Sequence, residues 1–242
     1  MAIIAPHPDD ELFGCGLLIA AARRVGVKLV VIVLTDGQAS HPGSARWPSA
    51  RLGRLRRQET RRGLARLGAR DMPLRFMGWG DGRLAKEGCA RRLRRLLHEH
   101  GVNIALVSSP RDFHADHRAA FALAERATAR TRIALGTYEV WSRVDRRIAP
   151  ARSRDGWRKR WAAKAHRSQL GKLITDDPDA FAFDGHAFAA LTEASESYEW
   201  WSQLGTFSEV SFRGLSGEHS KKAEARSASH RFRKDPLADI QR

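Results

Sequence analysis

Cysteine is nearly missing: Cys15 and Cys89 are the two in a chain of 242 residues. Two thiols cannot build a disulfide framework or a four-cysteine zinc site, and each falls within an apolar helical pattern, so both are read as core thiols. Long apolar runs are missing as well. Runs such as Leu29 to Leu34 fall far short of the roughly 20 residues of a membrane-spanning helix, and none is expected. The opening MAIIAPHPDDE puts acids where a secretory signal carries bases, which points to a cytoplasmic protein. The dinucleotide fingerprint is incomplete, because Gly14-Cys15-Gly16 lacks the third glycine and lies inside a helical pattern; this argues against a nicotinamide site.

Acidic residues are outnumbered, 27 against 43 basic ones, and the net charge is +16. Most of the bases are Arg, concentrated in two stretches. Residues 46–70 hold nine Arg against one Glu, and residues 143–167 hold ten bases against two Asp. Such a field attracts anionic partners, or it is a set of solvated helix faces. Without aromatic interleaving or a nucleic-acid motif, no specific nucleic acid is expected.

What the chain does have is an alternation of strand and helix patterns. A short strand from Ala2 to Ala5 leads into His7-Pro8-Asp9-Asp10-Glu11 and then into a helix over 11–25 that is apolar almost all round. The run KLVVIVL at 28–34 has no polar alternation, as in a parallel strand covered on both faces. Helices over about 50–67, 86–99 and 115–128 alternate with strands at 74–78, 103–107 and 133–141, and a basic Trp-rich helix is expected over 156–173. Short connections between alternating elements predict an α/β fold: a Rossmann-like, mostly parallel sheet with helices on both faces, in a single domain.

In such a sheet ligand chemistry gathers beyond the carboxyl ends of the strands. HPDDE follows the first strand, TDG the second, WGDG the third, and the segment carrying His114, Asp116 and His117 the fourth. Taken singly, each cluster reads as a helix cap or a turn. Together they bring His and Asp to one edge. Asp9 and Asp10 open a helix, where successive side chains diverge by roughly 100 degrees, so one can meet a metal that its neighbour cannot. Two histidines and one carboxylate leave open coordination positions, as in a catalytic zinc site, and the same set suits non-haem iron.

The residues AIIAPHPDDELFGCG, LTDG, SHPG, an Arg-x-x-Glu helix ending ARLG, and HADH resemble the PIG-L (LmbE-like) family of zinc-dependent N-deacetylases over residues 2–141; Ala165 to Gln169 is similar to a segment of some members. The resemblance implies His7, Asp10 and His117 as zinc ligands and Asp9 as general base. His114, protonated, would face the substrate carbonyl, with Asp116 orienting or tuning it. Arg56, in the pattern with Glu59, and Asp81 correspond to sugar or aglycone contacts. Asp112 stands where some members have a tyrosine, which leaves Tyr138 as the source of any tyrosine contribution to the oxyanion.

The implied activity is that of a zinc-dependent amide hydrolase, a deacetylase in which metal-bound water attacks the acyl carbon of an N-acyl amino sugar such as N-acetylglucosamine, or of a glycoconjugate carrying one, anionic if the basic mouth holds it. Zn2+ is the expected cofactor, with Fe2+ or another divalent metal compatible. A basic binding protein on the same fold, its metal site structural or vestigial, is the alternative. The expected organisation is a domain over 1–198 and an extension over 199–242, whose last thirty residues read as a flexible basic tail.

Overall fold

A chain of alternating strands and helices has to bury an apolar stripe of every helix and both faces of every central strand. The computed structural model describes residues 1–141, 155–193 and 196–201. It places strands β1 (Ala2–Ala5), β2 (Val30–Thr35), β3 (Leu74–Trp79), β4 (Ile104–Ser108), β5 (Ala134–Tyr138) and β6 (Tyr198–Trp200) in one sheet of order β3-β2-β1-β4-β5-β6. Strands β1 to β5 run parallel, and β6 lies antiparallel to β5.

The helices are α1 (Asp10–Arg24), α2 (Ser49–Arg66), α3 (Leu84–Glu87), α4 (Ala90–Glu99), α5 (Ala115–Thr128), α6 (Gly156–Ala163) and α7 (Gly185–Glu193), with a 3-10 turn at Arg167–Gln169. Alternate residues of the central strands enter opposite cores. Ile3, Ala5, Val31 and Val33 join Leu12, Ile19 and Leu64 on one face; Ala2, Ile4, Ile32 and Leu34 join Leu93, Leu97 and Ala124 on the other. This is why β2 is apolar without alternation. The result is the expected Rossmann-like α/β domain. Among the described residues, no helix is long and apolar enough to cross a membrane.

Two glycines of α1 are explained by what lies against them. A Cβ on Gly14 would sit 2.2 Å from the Tyr138 ring, and one on Gly16 would sit 3.1 Å from Lys159 Cγ. Lys159 is buried there, donating from Nζ to Phe13 O at 2.7 Å and to Glu196 Oε1 at 2.8 Å. The Glu196 carboxylate in turn accepts from the backbone N–H groups of Leu17 and Leu18. An ion pair so placed is satisfied by backbone groups of α1 as well as by its own partner, as a buried pair requires.

Several local expectations change. The helix expected over 86–99 divides at Gly88, whose backbone is extended. The one expected over 156–173 ends at Ala163, and a tight turn carries Ser168 and Gln169 instead. Cys15 is a buried thiol, but Cys89 is exposed, because it stands at the non-helical entry to α4 rather than on its buried face. The antiparallel edge strand β6 has no counterpart in the sequence reading, since three residues carry too little pattern. On α2, Arg51, Arg54, Arg61 and Arg62 are exposed, a solvated face, whereas Arg56 is buried. The tail over 213–242 lies outside the described residues.

Candidate metal and catalytic site

The neighbouring strands β1 and β4 lead into connections that run to opposite sides of the sheet, β1 toward β2 and β4 toward β5. A crevice opens at such a reversal of strand order. The stretch after β1 brings His7, Asp9 and Asp10 to it; the stretch after β4 brings Asp112, His114 and His117; Asp81 arrives after β3 and Arg56 from α2. All of these but Asp112 line a cleft of about 360 Å3.

The two adjacent carboxylates are separated by backbone geometry. Asp9 precedes the first residue of α1 with φ at 142°, a region that residues with a Cβ rarely enter. Its N–H donates to Glu11 Oε2 at 3.0 Å, which holds the strained turn. Asp10 Oδ2 lies 3.2 Å from His7 Nδ1 and 3.2 Å from His117 Nε2, and accepts from the His7 backbone N–H at 2.9 Å. Asp9 Oδ2 is turned to Arg56, whose Nη2 donates to it at 3.0 Å.

The second nitrogen of each of these histidines is also held. His117 Nδ1 is 3.0 Å from Asp112 Oδ2, and His7 Nε2 lies 3.3 Å from Asp116 Oδ2 and 3.2 Å from Asp81 Oδ1. Carboxylates on the remote nitrogens of metal-binding histidines orient the ring and make the near nitrogen more basic. Asp112 also accepts from the backbone N–H groups of His114 and Trp141. Asp116 accepts from those of Gly82 and Leu84.

These residues fit a divalent cation. Five carboxylates, those of Asp9, Asp10, Asp81, Asp112 and Asp116, surround the imidazoles against one buried guanidinium, and buried charge of one sign requires compensation. The 3.2 Å spacings around Asp10 are close to the separation of about 3.3 Å between ligands bonded at about 2.0 Å in a tetrahedral site. Two further sets of donor atoms converge within 4.8 Å: His7, His114 and His117, and His7, Asp81 and Asp116. His114 thus belongs to a donor cluster and also lines the cleft.

The electrostatics separate the roles further. Burial pushes the Asp9 carboxyl up to about 7 against the opposing pull of Arg56. Burial would raise Asp10 too, but the charge and hydrogen bonds of His117 and His7 hold it well below the usual carboxylate range. His117 rises to about 9, because Asp10 and Asp112 outweigh its burial. His114 is lowered by burial and by the neighbouring His7 and His117 imidazoles. Its Nδ1 accepts the Asp116 backbone N–H at 3.2 Å, so the neutral ring carries its proton on Nε2.

The structure brings these histidines and carboxylates together, as the strand-end reading expects, and reassigns several contacts. It is the backbone of Asp116 that touches His114, while the Asp116 carboxylate holds His7. The protonated state expected for His114 is disfavoured by burial and then by the neighbouring His7 and His117. Arg56, expected at a sugar, donates to Gly37 O at 2.9 Å, Pro8 O at 3.0 Å and Asp9 Oδ2. Glu59 bonds not to Arg56 but to the N–H and Oγ of Ser168, at 2.9 and 2.6 Å. Asp81 adds a bond from Ala39 N at 2.8 Å. Tyr138 is fully buried and donates to Ile4 O at 3.0 Å, which removes it as an oxyanion donor. Asp112 and Glu11 are the residues of the site that the sequence did not single out for these contacts. Asp112 carried a signal, an acid beside the HADH segment, but spacing alone could not pair it with His117.

A profile of the family described as GlcNAc-PI de-N-acetylase, PIG-L, matches residues 2–128. Among solved structures, N,N'-diacetylchitobiose deacetylase from Pyrococcus horikoshii superposes with a TM-score of 0.61 at 19% identity, covering 71% of this chain and 70% of that one. A triple-mutant deacetylase of the teicoplanin biosynthetic pathway gives 0.64 at 17% identity, covering 82% and 95%. The hydratase GalB from Pseudomonas putida gives 0.62 at 16%, covering 86% and 98%. At these identities the likeness is one of fold, and the fold serves more than one reaction. No curated protein sequence matches the chain.

Proposed function

The chain belongs to the PIG-L family, and from that premise we propose that it is a metal-dependent amide hydrolase removing an N-acyl group, most simply N-acetyl, from an amino sugar or a glycoconjugate that carries one. The observation that carries this reading is the division of labour between two adjacent carboxylates. Asp10 bridges His7 and His117, and Asp9 is turned into the same cleft on the arm of Arg56.

In this reading His7, Asp10 and His117 hold the metal, and zinc suits their nitrogen and oxygen donors. When bound, the cation supplies Lewis acidity, which polarises the acyl carbonyl and makes water acidic enough to attack near neutral pH. Asp9 removes the proton from the attacking water. Arg56 grips its Oδ2, leaving Oδ1 for that proton. His114, neutral with its proton on Nε2, donates to the carbonyl oxygen as it gains charge, a contribution of roughly 3–4 kcal/mol if it acts as other oxyanion donors do. The protonated Asp9 then passes its proton to the leaving nitrogen as the C–N bond breaks, and the products are a free amine and a carboxylate. Asp112 and Asp116 position His117 and His7. Asp81, which lines the cleft beside His7, accepts from a substrate hydroxyl in this reading.

The test is metal analysis of the purified protein, followed by an assay of amine release from N-acetylglucosamine conjugates. Bound divalent metal together with metal-dependent amine release supports the proposal. A metal-free protein that releases no amine on zinc addition overturns it.

A further inference from the structure

One wall of the cleft is not polar. Phe113 and Phe181 stand 70% and 44% exposed at its mouth, backed by Trp141 and Phe183. The Trp141 ring lies 5.9 Å from Phe113, 5.8 Å edge-on from Phe181 and 5.4 Å in a stack with Phe183. Phe181 meets Phe183 edge-on at 5.0 Å. A single exposed Phe requires no explanation. Here both belong to one contiguous aromatic cluster that lines the same cleft as the histidines, and exposed apolar surface of that kind marks a binding groove.

The wall is also fixed in place. The backbone N–H of Trp141 donates to Asp112, the carboxylate that holds His117. Phe183 N donates to Gln169 O at 2.8 Å. The loop before Phe181 is tied to the loop after β2 by Asp176, bonded to Ser44 and Arg46, and by Asp177, bonded to Gly43 N at 2.8 Å. A preformed apolar surface binds without the cost of ordering it first. The same cleft is lined by Ser40, Gln169 and Asp81, whose polar groups suit sugar hydroxyls.

We infer that the Phe113–Trp141–Phe181–Phe183 wall is a subsite for an apolar group attached next to the scissile amide, so that the preferred substrate is an amphipathic N-acyl amino sugar rather than a bare one. This rests on the amide-hydrolase reading above. Two sources supply the same chemistry, an apolar aglycone and an extended acyl chain, and the cleft receives either alongside the sugar.

The experiment uses the full chain loaded with zinc. One arm compares methyl and hexyl glycosides of N-acetylglucosamine; the other compares the methyl glycosides of N-acetyl- and N-hexanoylglucosamine. Each pair is measured for kcat/KM by amine release and for Kd by calorimetry, in the unaltered protein and in Phe113→Ser and Phe181→Ser, whose folding is checked by thermal melting. The expected result is an advantage of about tenfold or more for the apolar member of one arm, falling toward unity in both variants; the arm that shows it identifies the source. Equal kcat/KM within both arms overturns the inference. If nothing is hydrolysed, the hydrolase reading fails, and binding still decides the wall. Tighter binding of an apolar member that is lost in the variants supports it, and equal binding overturns it.

Discussion

The Arg56 guanidinium and the Asp9 carboxylate meet at 3.0 Å with both side chains almost sealed from solvent, Arg56 being 3% exposed. The same guanidinium reaches the carbonyls of Pro8 and Gly37, so one side chain from α2 clamps the turn after β1, the loop after β2 and the candidate base. A Cβ on Gly37 would collide with it, at 2.2 Å from Nη1, which explains the glycine there.

Removing the clamp should therefore act through Asp9. Arg56→Ala leaves a buried carboxylate without its partner and should cost about 3–5 kcal/mol of stability. It should lower kcat more than it raises KM. Arg56 opposes the effect of burial on Asp9, so its loss raises the Asp9 pKa further. A base must be deprotonated to act, and the acidic limb of the kcat/KM profile should move to higher pH. Arg56→Lys keeps the charge but not the planar fork, and should show a smaller shift at smaller cost in stability. A raised KM with an unmoved limb would return Arg56 to direct substrate contact.

The two adjacent carboxylates should have different phenotypes. Asp9→Ala should keep near-stoichiometric zinc and lose roughly 100- to 10,000-fold in kcat. Asp10→Ala, His7→Ala and His117→Ala should lose zinc affinity. Metal content and turnover measured side by side check this, and zinc retained by Asp10→Ala but lost from Asp9→Ala would reverse the assignment.

Asp112 should behave as a positioning residue for the metal. Its Oδ2 holds His117 Nδ1, so Asp112→Ala should weaken zinc binding by about 10- to 100-fold. Competition with a chelator reads the change. Asp112→Asn keeps an acceptor oxygen and should recover part of it; an unaltered zinc affinity in the alanine variant would show that Asp112 serves only the loop.

Gly14 should not tolerate a side chain. The Tyr138 ring occupies the space of its Cβ, so Gly14→Ala should lower stability by about 1–3 kcal/mol, read as a fall in Tm. A Gly14→Ala, Tyr138→Leu pair should recover much of the loss, because the obstruction is the ring itself.

The sequence by itself determined the strand and helix alternation, the buried β2 and the edge on which chemistry collects, because period and strand-end position are local properties of the chain. It also placed His7, Asp10, His114 and His117 together, since parallel strands deliver their carboxyl ends to one side whatever their order. Only the tertiary structure decided which carboxylate meets which imidazole. Asp112, in the loop after β4, meets His117 in the first turn of α5, and Asp116 of the same turn reaches His7 in the stretch after β1; a carboxylate beside two histidines has no local preference for either. The same holds for Arg56, whose position on a basic helix reads as solvated until packing turns that one side chain inward to Asp9. The aromatic wall was the least legible. Phe113, Trp141 and the pair Phe181 and Phe183 come from three separate segments, and nothing in any of them shows that folding sets them against a common cleft.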